Sequence, residues 1–373
     1  AAALSVTMIM WVLWGWSIAY AGTSVGGIFG DPATGFLLKD TMVSDKGVFT
    51  SAALNGNNYP VSVDVAFQSA FAMITVALIC GAIAERVKYS TWMIFVALWI
   101  TFDYAPLAHM VWNGGLLSAD GAISQAIGAA AHDFAGGTVV HINAAVAALV
   151  IVLIIGKRKG FGTQPFRPHN VPFVMLGAFL LWFGWFGFNA GGAYAADGLA
   201  AYAFTNTTIA GSIAMIVWML YDWHYDRKPS FSGVLVGAVA GLATITPCAG
   251  YVEPWAAIII GAVGSSVCYY AKYVQERLGF DDALEVWRAH GMGGVTGALL
   301  LGILASSNID KVNASIHQFL MQLLGVIIVA VYSFVVTIII FKVISAWGPI
   351  RVTKEEEEAG LDESLHGEEA YKM

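Results

Sequence analysis

Ten stretches of about twenty apolar residues, set between short polar segments, leave this chain little choice but a lipid bilayer. They run near 3–22, 64–84, 91–110, 137–156, 172–191, 199–221, 231–250, 255–274, 286–305 and 318–346. In hydrocarbon such a stretch has to be helical, because a helix satisfies each backbone N–H and C=O inside its own segment. Of the 373 residues 58% are hydrophobic and 12% charged, against about a quarter charged in soluble domains. The expected fold is all-α, a polytopic membrane helix bundle at 1–346 followed by a cytoplasmic tail at 347–373.

The charges between the windows fix an orientation. The segments 85–90, 157–171, 222–229, 272–288 and 342–373 hold Arg86, Lys88, Lys157, Arg158, Lys159, Arg167, Arg227, Lys228, Lys272, Arg277, Arg288, Lys342, Arg351, Lys354 and Lys372, which is 15 of the 18 basic residues. The alternate segments hold Lys39, Lys46 and Lys311. Basic loops stay on the cytoplasmic side, so both ends of the chain are expected there, in a multi-pass protein of the cytoplasmic membrane. The net charge of −7 says little about partners, because the tail supplies Glu355 to Glu358, Asp362, Glu363, Glu368 and Glu369; nucleic acid is not expected among them. Cys80, Cys248 and Cys268 lie in apolar windows without metal-ligand spacing and read as small core residues.

Two of the windows carry a histidine in the same setting. From His141 the chain reads H-I-N-A-A-V-A-A and from His290 H-G-M-G-G-V-T-G, and an aspartate stands eight residues before each, Asp133 and Asp282. Eight helical residues rise about 12 Å, in a hydrocarbon core about 30 Å thick. The His141 helix enters from outside and the His290 helix from the cytoplasm, so the two imidazoles approach the midplane from opposite faces. This is how inverted repeats build a central site. His141 is in the fourth window and His290 in the ninth, so a five-helix repeat requires one more helix in front. Ten spans of an expected eleven are then present, with the first apparently missing.

An intramembrane imidazole marks a functional site or a polar path. Burial disfavours its charged form, and a neutral ring offers one donor and one acceptor. The plainer alternative is a hydrogen bond that only ties two helices together. Bis-imidazole haem ligation is a further alternative, disfavoured by the small residues beside both rings; no cofactor or metal is expected. Glycines at helical spacing, Gly233, Gly237 and Gly241 with Gly293 and Gly297, read as close helix packing.

On the outer side, Trp112 closes A-H-M-V-W, with Tyr104 two turns deeper, Phe67 and Phe71 stand in A-F-Q-S-A-F, and Phe188 lies in W-F-G-W-F-G-F-N-A-G-G. Ring faces bind small cations, although aromatic belts and core packing account for most membrane aromatics. Asp133 is placed to cap the helix that follows, which leaves room for attracting a cation. Asp282 and Glu285 read as solvated charges. No nucleotide-binding, zinc-protease or nucleophile-elbow motif occurs, and the chain is not read as an enzyme; Asn206-Thr-Thr is a chance glycosylation pattern inside a window.

The strings A-F-Q-S-A-F, G-A-I-A-E-R, A-P-L-A-H-M-V-W, H-D-F-A-G-G-T-V-V-H-I-N-A, P-H-N, W-F-G-W-F-G-F-N-A-G, I-T-P-C-A-G, A-H-G-M-G-G and the tail A-G-L-D-E-S-L-H-G-E-E-A-Y, in this order, resemble the ammonium transporter (Amt/Mep/Rh) family, on its Amt branch. The resemblance implies a homotrimer of eleven-helix subunits, each with its own pore for ammonium or ammonia, with methylammonium as an analogue. It places Trp112, Phe71, Phe188, Asp133, Gln68, Tyr104 and the Gly192 position at an outer recruitment site. Phe67 joins Phe188 as a stacked gate, and the twin histidines line a hydrophobic pore with Trp185 and Thr246. It also implies a cytosolic PII-type regulator near the tail residues Gly360, Asp362, His366, Gly367, Glu368 and Tyr371. Two departures stand out. Gly192 occupies a position where many bacterial members have a serine that bonds the cation, and Arg288 stands two residues before His290 and is expected to point into the cytoplasmic surface. An ammonium sensor of the same fold, or a water or neutral-gas channel, is the competing reading.

Overall fold

The computed structural model describes residues 1–39, 41–45, 48–51 and 59–369. Helices occupy all ten apolar windows: α1 (Ala2–Gly15), α2 (Val61–Ile83), α3 (Tyr89–Trp112), α4 (Gly137–Ile155), α5 (Val171–Gly191), α6 (Gly198–Asp226), α7 (Phe231–Ile245), α8 (Pro254–Leu278), α9 (287–304) and α10 (Ile316–Ser345). Seven of them, α2 to α6, α8 and α10, are each long and apolar enough to cross a membrane. Side-chain caps set several starts: Asn170 accepts from Phe173 N, Asp197 from Leu199 N and Ala200 N, Ser230 from Gly233 N and Ser315 from Gln318 N. Short antiparallel hairpins, Ser24–Val25 with Phe29–Gly30 and Met42–Asp45 with Val48–Ser51, lie between α1 and α2.

The bundle is apolar on its outside as well as inside. Phe183 is 76% exposed and Phe173 61% exposed, and of α5 only Trp185 and Asn189 are buried among the described residues. Water would not tolerate such faces, whereas lipid matches them. Cys80 belongs to this outer surface rather than the core, because it stands on the outward face of α2; Cys248 and Cys268 are buried.

Inside, the small residues set the helix spacing. A Cβ on Gly237 would come within 2.6 Å of the Trp218 side chain, and one on Gly241 within 2.5 Å of the Ala210 carbonyl. Since 210, 214 and 218 are successive turns of α6, the glycine row of α7 lies directly against that ridge. A Cβ on Gly297 of α9 would likewise come within 2.8 Å of Pro247 Cγ. A side chain at any of these positions would push a helix away from the centre.

At the end of the bundle where α2 stops, Arg86 is fully buried and donates to the carbonyls of Ala82 at 2.5 Å, Gly156 at 2.8 Å and Asp281 at 2.8 Å. Arg158 grips the Asp281 carboxylate through Nη2 at 2.7 Å and Nε at 2.9 Å. Burial alone would raise the Asp281 carboxyl, but the bonds from Arg158 and the charge of Arg86 hold it below the usual carboxylate range. The tail docks onto the same loops. Lys88 N donates to Ile350 O and Val352 N to Arg86 O, each at 3.0 Å, and Arg351 donates to the carbonyls of Ile155 and Lys157 and to Glu357. The tail helix α11 (Lys354–Ala359) starts on a Thr353–Glu356 capping box, and its Glu358 pairs with Lys159.

Candidate functional site

The start of α4 is a carboxylate nest. Asp133 Oδ1 accepts from Gly136 N at 2.9 Å and Gly137 N at 2.6 Å, while Oδ2 accepts from Thr138 N at 2.8 Å, Thr138 Oγ1 at 2.5 Å and Val139 N at 3.2 Å. Gly136 turns the chain at φ +107°, a left-handed conformation in which a Cβ would also strike Val140. A negative charge here satisfies the orphan donors of the helix N-terminus and suits its dipole. The first turn that follows is wound as a π-helix, Gly137–Ile142, and carries His141. The other histidine is set in the same way, in the π-turn Trp287–Met292 that opens α9. There Asp282 Oδ2 accepts from Trp287 N at 2.6 Å.

Asp282 is therefore a buried cap, 5% exposed, and not the solvated charge expected from sequence. Burial pushes its carboxyl up to about 6. With an unfolded value of about 3.9, the folded state takes up this proton first. The associated stability is present below the unfolded value and lost as pH rises through about 6. Asp282→Asn keeps an acceptor for Trp287 N, so thermal unfolding in detergent should show a flatter pH dependence between about 4 and 6 than wild type. Equal slopes would show that this carboxyl does not titrate there.

The two imidazoles meet. His141 Nδ1 and His290 Nδ1 are 3.3 Å apart, one necessarily donating and the other accepting, with ring centroids at 5.1 Å. No haem plane fits between rings in hydrogen-bond contact. His141 Nε2 has no partner among the described residues, and both rings line a cavity of about 360 Å³. Its other walls are apolar side chains of α2 (Ala70, Ile74, Leu78) and of α5 (Leu180, Leu181, Trp185, Phe188). Trp185 stacks on His290 at 6.3 Å and 4° and on His141 at 5.4 Å and 28°. Thr246, placed in the pore from sequence, lies behind that indole and not among the residues lining the cavity. Its Oγ1 accepts from Trp185 Nε1 at 2.9 Å and donates to Leu242 O at 2.8 Å. Thr246 thus orients Trp185, and Trp185 braces both imidazoles.

Above the histidines the aromatics differ from the sequence expectation in one pairing. The stacked rings are Phe71 and Phe188, with centroids at 4.3 Å and 22°, whereas Phe67 stands edge-on to Phe71 at 4.8 Å and 75°. One helical turn separates 67 from 71, and Phe71 is the residue level with Phe188. Phe67 instead packs under Gly191, where a Cβ would sit 2.7 Å from its Cζ. Trp112 completes the group, edge-on to Phe71 at 5.9 Å, and its Nε1 donates to Asp133 O at 2.8 Å. That bond ties it to the α4 nest rather than to a lipid belt. Gln68 is buried, accepting from Tyr20 Oη at 2.8 Å and donating to Tyr194 Oη at 2.6 Å. Tyr104 is fully buried with Trp11 and Trp99 as ring neighbours, outside this aromatic group. At Gly192 a Cβ would lie 2.6 Å from Phe134 O, so this backbone has closed over the space of a serine side chain.

Arg288 is buried, contrary to its expected position in the surface. It is ion-paired with Glu285, and its guanidinium lies 5.3 Å from the Trp218 ring, under α6. In the tail, Gly360 and Gly367 take positive φ around a turn, Asp362–His366, whose His366 ring meets Tyr89 edge-on at 5.2 Å, and Glu368 N bonds back to Asp362 O. Tyr371 lies outside the described residues. Sequence reasoning passed over Tyr20, Tyr194 and Asp64; for Asp64 a signal existed, since 64, 67, 68 and 71 follow the spacing of one helix face.

The model of the Ammonium Transporter Family matches residues 1–371. The chain belongs to the ammonium transporter family. An ammonium transporter of Aquifex aeolicus is 44% identical over all of this chain and 84% of its own length, and one of Bacillus subtilis is 39% identical over 99% of this chain and 88% of its own. Among solved structures, Candida albicans Mep2 superposes with a TM-score of 0.84 at 33% identity, covering 95% of this chain and 78% of Mep2. A structure described as a sensor Amt protein superposes at 0.85 with 28% identity, covering 97% and 87%. With this ammonium transporter family fold and its long apolar helices, the protein is an integral membrane protein.

Proposed function

We propose that this protein carries ammonium nitrogen across the cytoplasmic membrane by recruiting the cation outside and conducting it inward as ammonia. The observation that carries the reading is the pair of imidazoles in contact beneath the Phe71–Phe188 stack, on the wall of an otherwise apolar cavity. Ammonium sheds water against the Trp112, Phe71 and Phe188 rings, near the Asp133 nest. A bare cation would be costly in the apolar cavity, so it gives up a proton at the mouth. Neutral ammonia passes between the stacked phenyl rings, donates to an imidazole nitrogen such as His141 Nε2, and regains a proton inside. Trp185, held by Thr246, keeps the two rings aligned.

In this reading residues 1–346 form the transporting unit of a homotrimer, and 347–373 a cytoplasmic tail. The tail turn at Gly360, Asp362, His366, Gly367 and Glu368, beside the loops at 86–88 and 157–159, receives a PII-type regulator, to which the sequence position Tyr371 also belongs. Replacing Trp112 by leucine removes a ring face worth about 0.5–2 kcal/mol to a cation. Half-saturation for methylammonium uptake should rise roughly two- to thirtyfold while the maximal rate stays near wild type; an unshifted half-saturation would remove Trp112 from recruitment.

The likeness to a sensor Amt structure and the missing side chain at Gly192 favour a second reading, an ammonium receptor with little flux. Current on solid-supported membranes after an ammonium jump separates the two. Sustained current or uptake supports transport, whereas saturable binding without either supports the receptor.

A further inference from the structure

Near the outer end of α2 there is a carboxylate that nothing described so far uses. Asp64 lies in the first turn of the helix and is 5% exposed, and its Oδ1 has no hydrogen-bond partner among the described residues. No ion pair involves it among those residues either. Leaving a charge buried and unpaired is costly, so the position calls for a cationic occupant.

Its neighbours point the same way. Asp64, Phe67, Gln68 and Phe71 share one face of α2, which puts the carboxylate two turns, about 10 Å, outward of the stacked phenyl pair. The hydroxyls of Tyr20 and Tyr194 are both within electrostatic reach of it. Those hydroxyls are the two ends of the Tyr20–Gln68–Tyr194 hydrogen-bond chain. Tyr194 holds its place at a left-handed φ of +54°, with its ring parallel to Tyr59 at 6.4 Å. Acceptor oxygens, ring faces and one negative charge are the chemistry that binds a small monovalent nitrogen cation in exchange for its water.

We propose that Asp64, with Tyr194 and Tyr20, forms a separate outermost station for ammonium-type cations, above the Trp112–Phe71–Phe188 rings, and supplies the acceptor strength that Gly192 cannot. The proposal rests on the reading of the ring cluster as an ammonium recruitment site, but its test does not require transport. Binding of methylammonium to the purified full chain in detergent would be measured for wild type, Asp64→Asn and Asp64→Glu. Losing the charge should raise Kd about tenfold, and Asp64→Glu should recover most of the loss. Tyr194→Phe, which keeps the ring, should weaken binding by a smaller factor. A Kd unchanged in Asp64→Asn, or no saturable binding by wild type, would overturn the station. Uptake into proteoliposomes is read separately: absent flux with the Asp64 effect on Kd intact would overturn the transport reading and leave the station standing.

Discussion

Replacing His141 by alanine is expected to reduce ammonium and methylammonium flux in proteoliposomes by about a hundredfold or more. Ammonia that has left water needs a hydrogen-bond partner inside the cavity, and an unsatisfied polar group there costs several kcal/mol. His141 Nε2 is a ring nitrogen with no partner among the described residues, in a cavity whose remaining walls are mostly apolar. The substitution also strips His290 Nδ1 of its neighbour at 3.3 Å and removes one of the two rings stacked on Trp185. Because α4 is held by its carboxylate cap, the fold should survive with a lowered thermal midpoint, so at temperatures where the variant stays folded the loss appears in flux. Flux at the wild-type level would mean the imidazoles only tie α4 to α9.

Replacing Asp133 by alanine should instead remove stability. Five donors converge on this buried carboxylate, four of them backbone N–H groups that no helical carbonyl can satisfy. Losing the charged acceptor is expected to cost about 3–5 kcal/mol, the scale for breaking a buried charged network. Asp133→Asn keeps an acceptor oxygen without the charge and should fall between alanine and wild type. The measurement is the midpoint of thermal unfolding in detergent. Trp112 hangs from the Asp133 carbonyl at 2.8 Å, so the alanine variant should bind methylammonium less tightly even where it remains folded. An unshifted midpoint would reduce Asp133 to a local cap of minor energetic weight.

The helices and the histidine pair were legible in the chain because their causes are local. A twenty-residue apolar window has one backbone solution in lipid, and an aspartate eight residues ahead of an imidazole fixes where each helix begins. The cap at Asp133 and the glycine row of α7 follow from the same short-range arithmetic. Which phenyl ring stacks on Phe188 was not legible. Phe67 and Phe71 are one turn apart on α2, and only the height of α5 beside it, set by Gly191 against Phe67, selects Phe71.

The fates of Arg288, Asp282 and Thr246 were decided by packing at long range. Arg288 is buried because α6 brings Trp218 over it, and Thr246 meets Trp185 across 61 residues of chain. That Asp64 has no ion-pair partner among the described residues is likewise a fact about which groups the other helices bring near. Sequence alone determined the solvent, the spans and the residue types that enter the membrane. Tertiary structure decided which of those groups touch, because helix depth and rotation are set by contacts between segments that lie far apart in the chain.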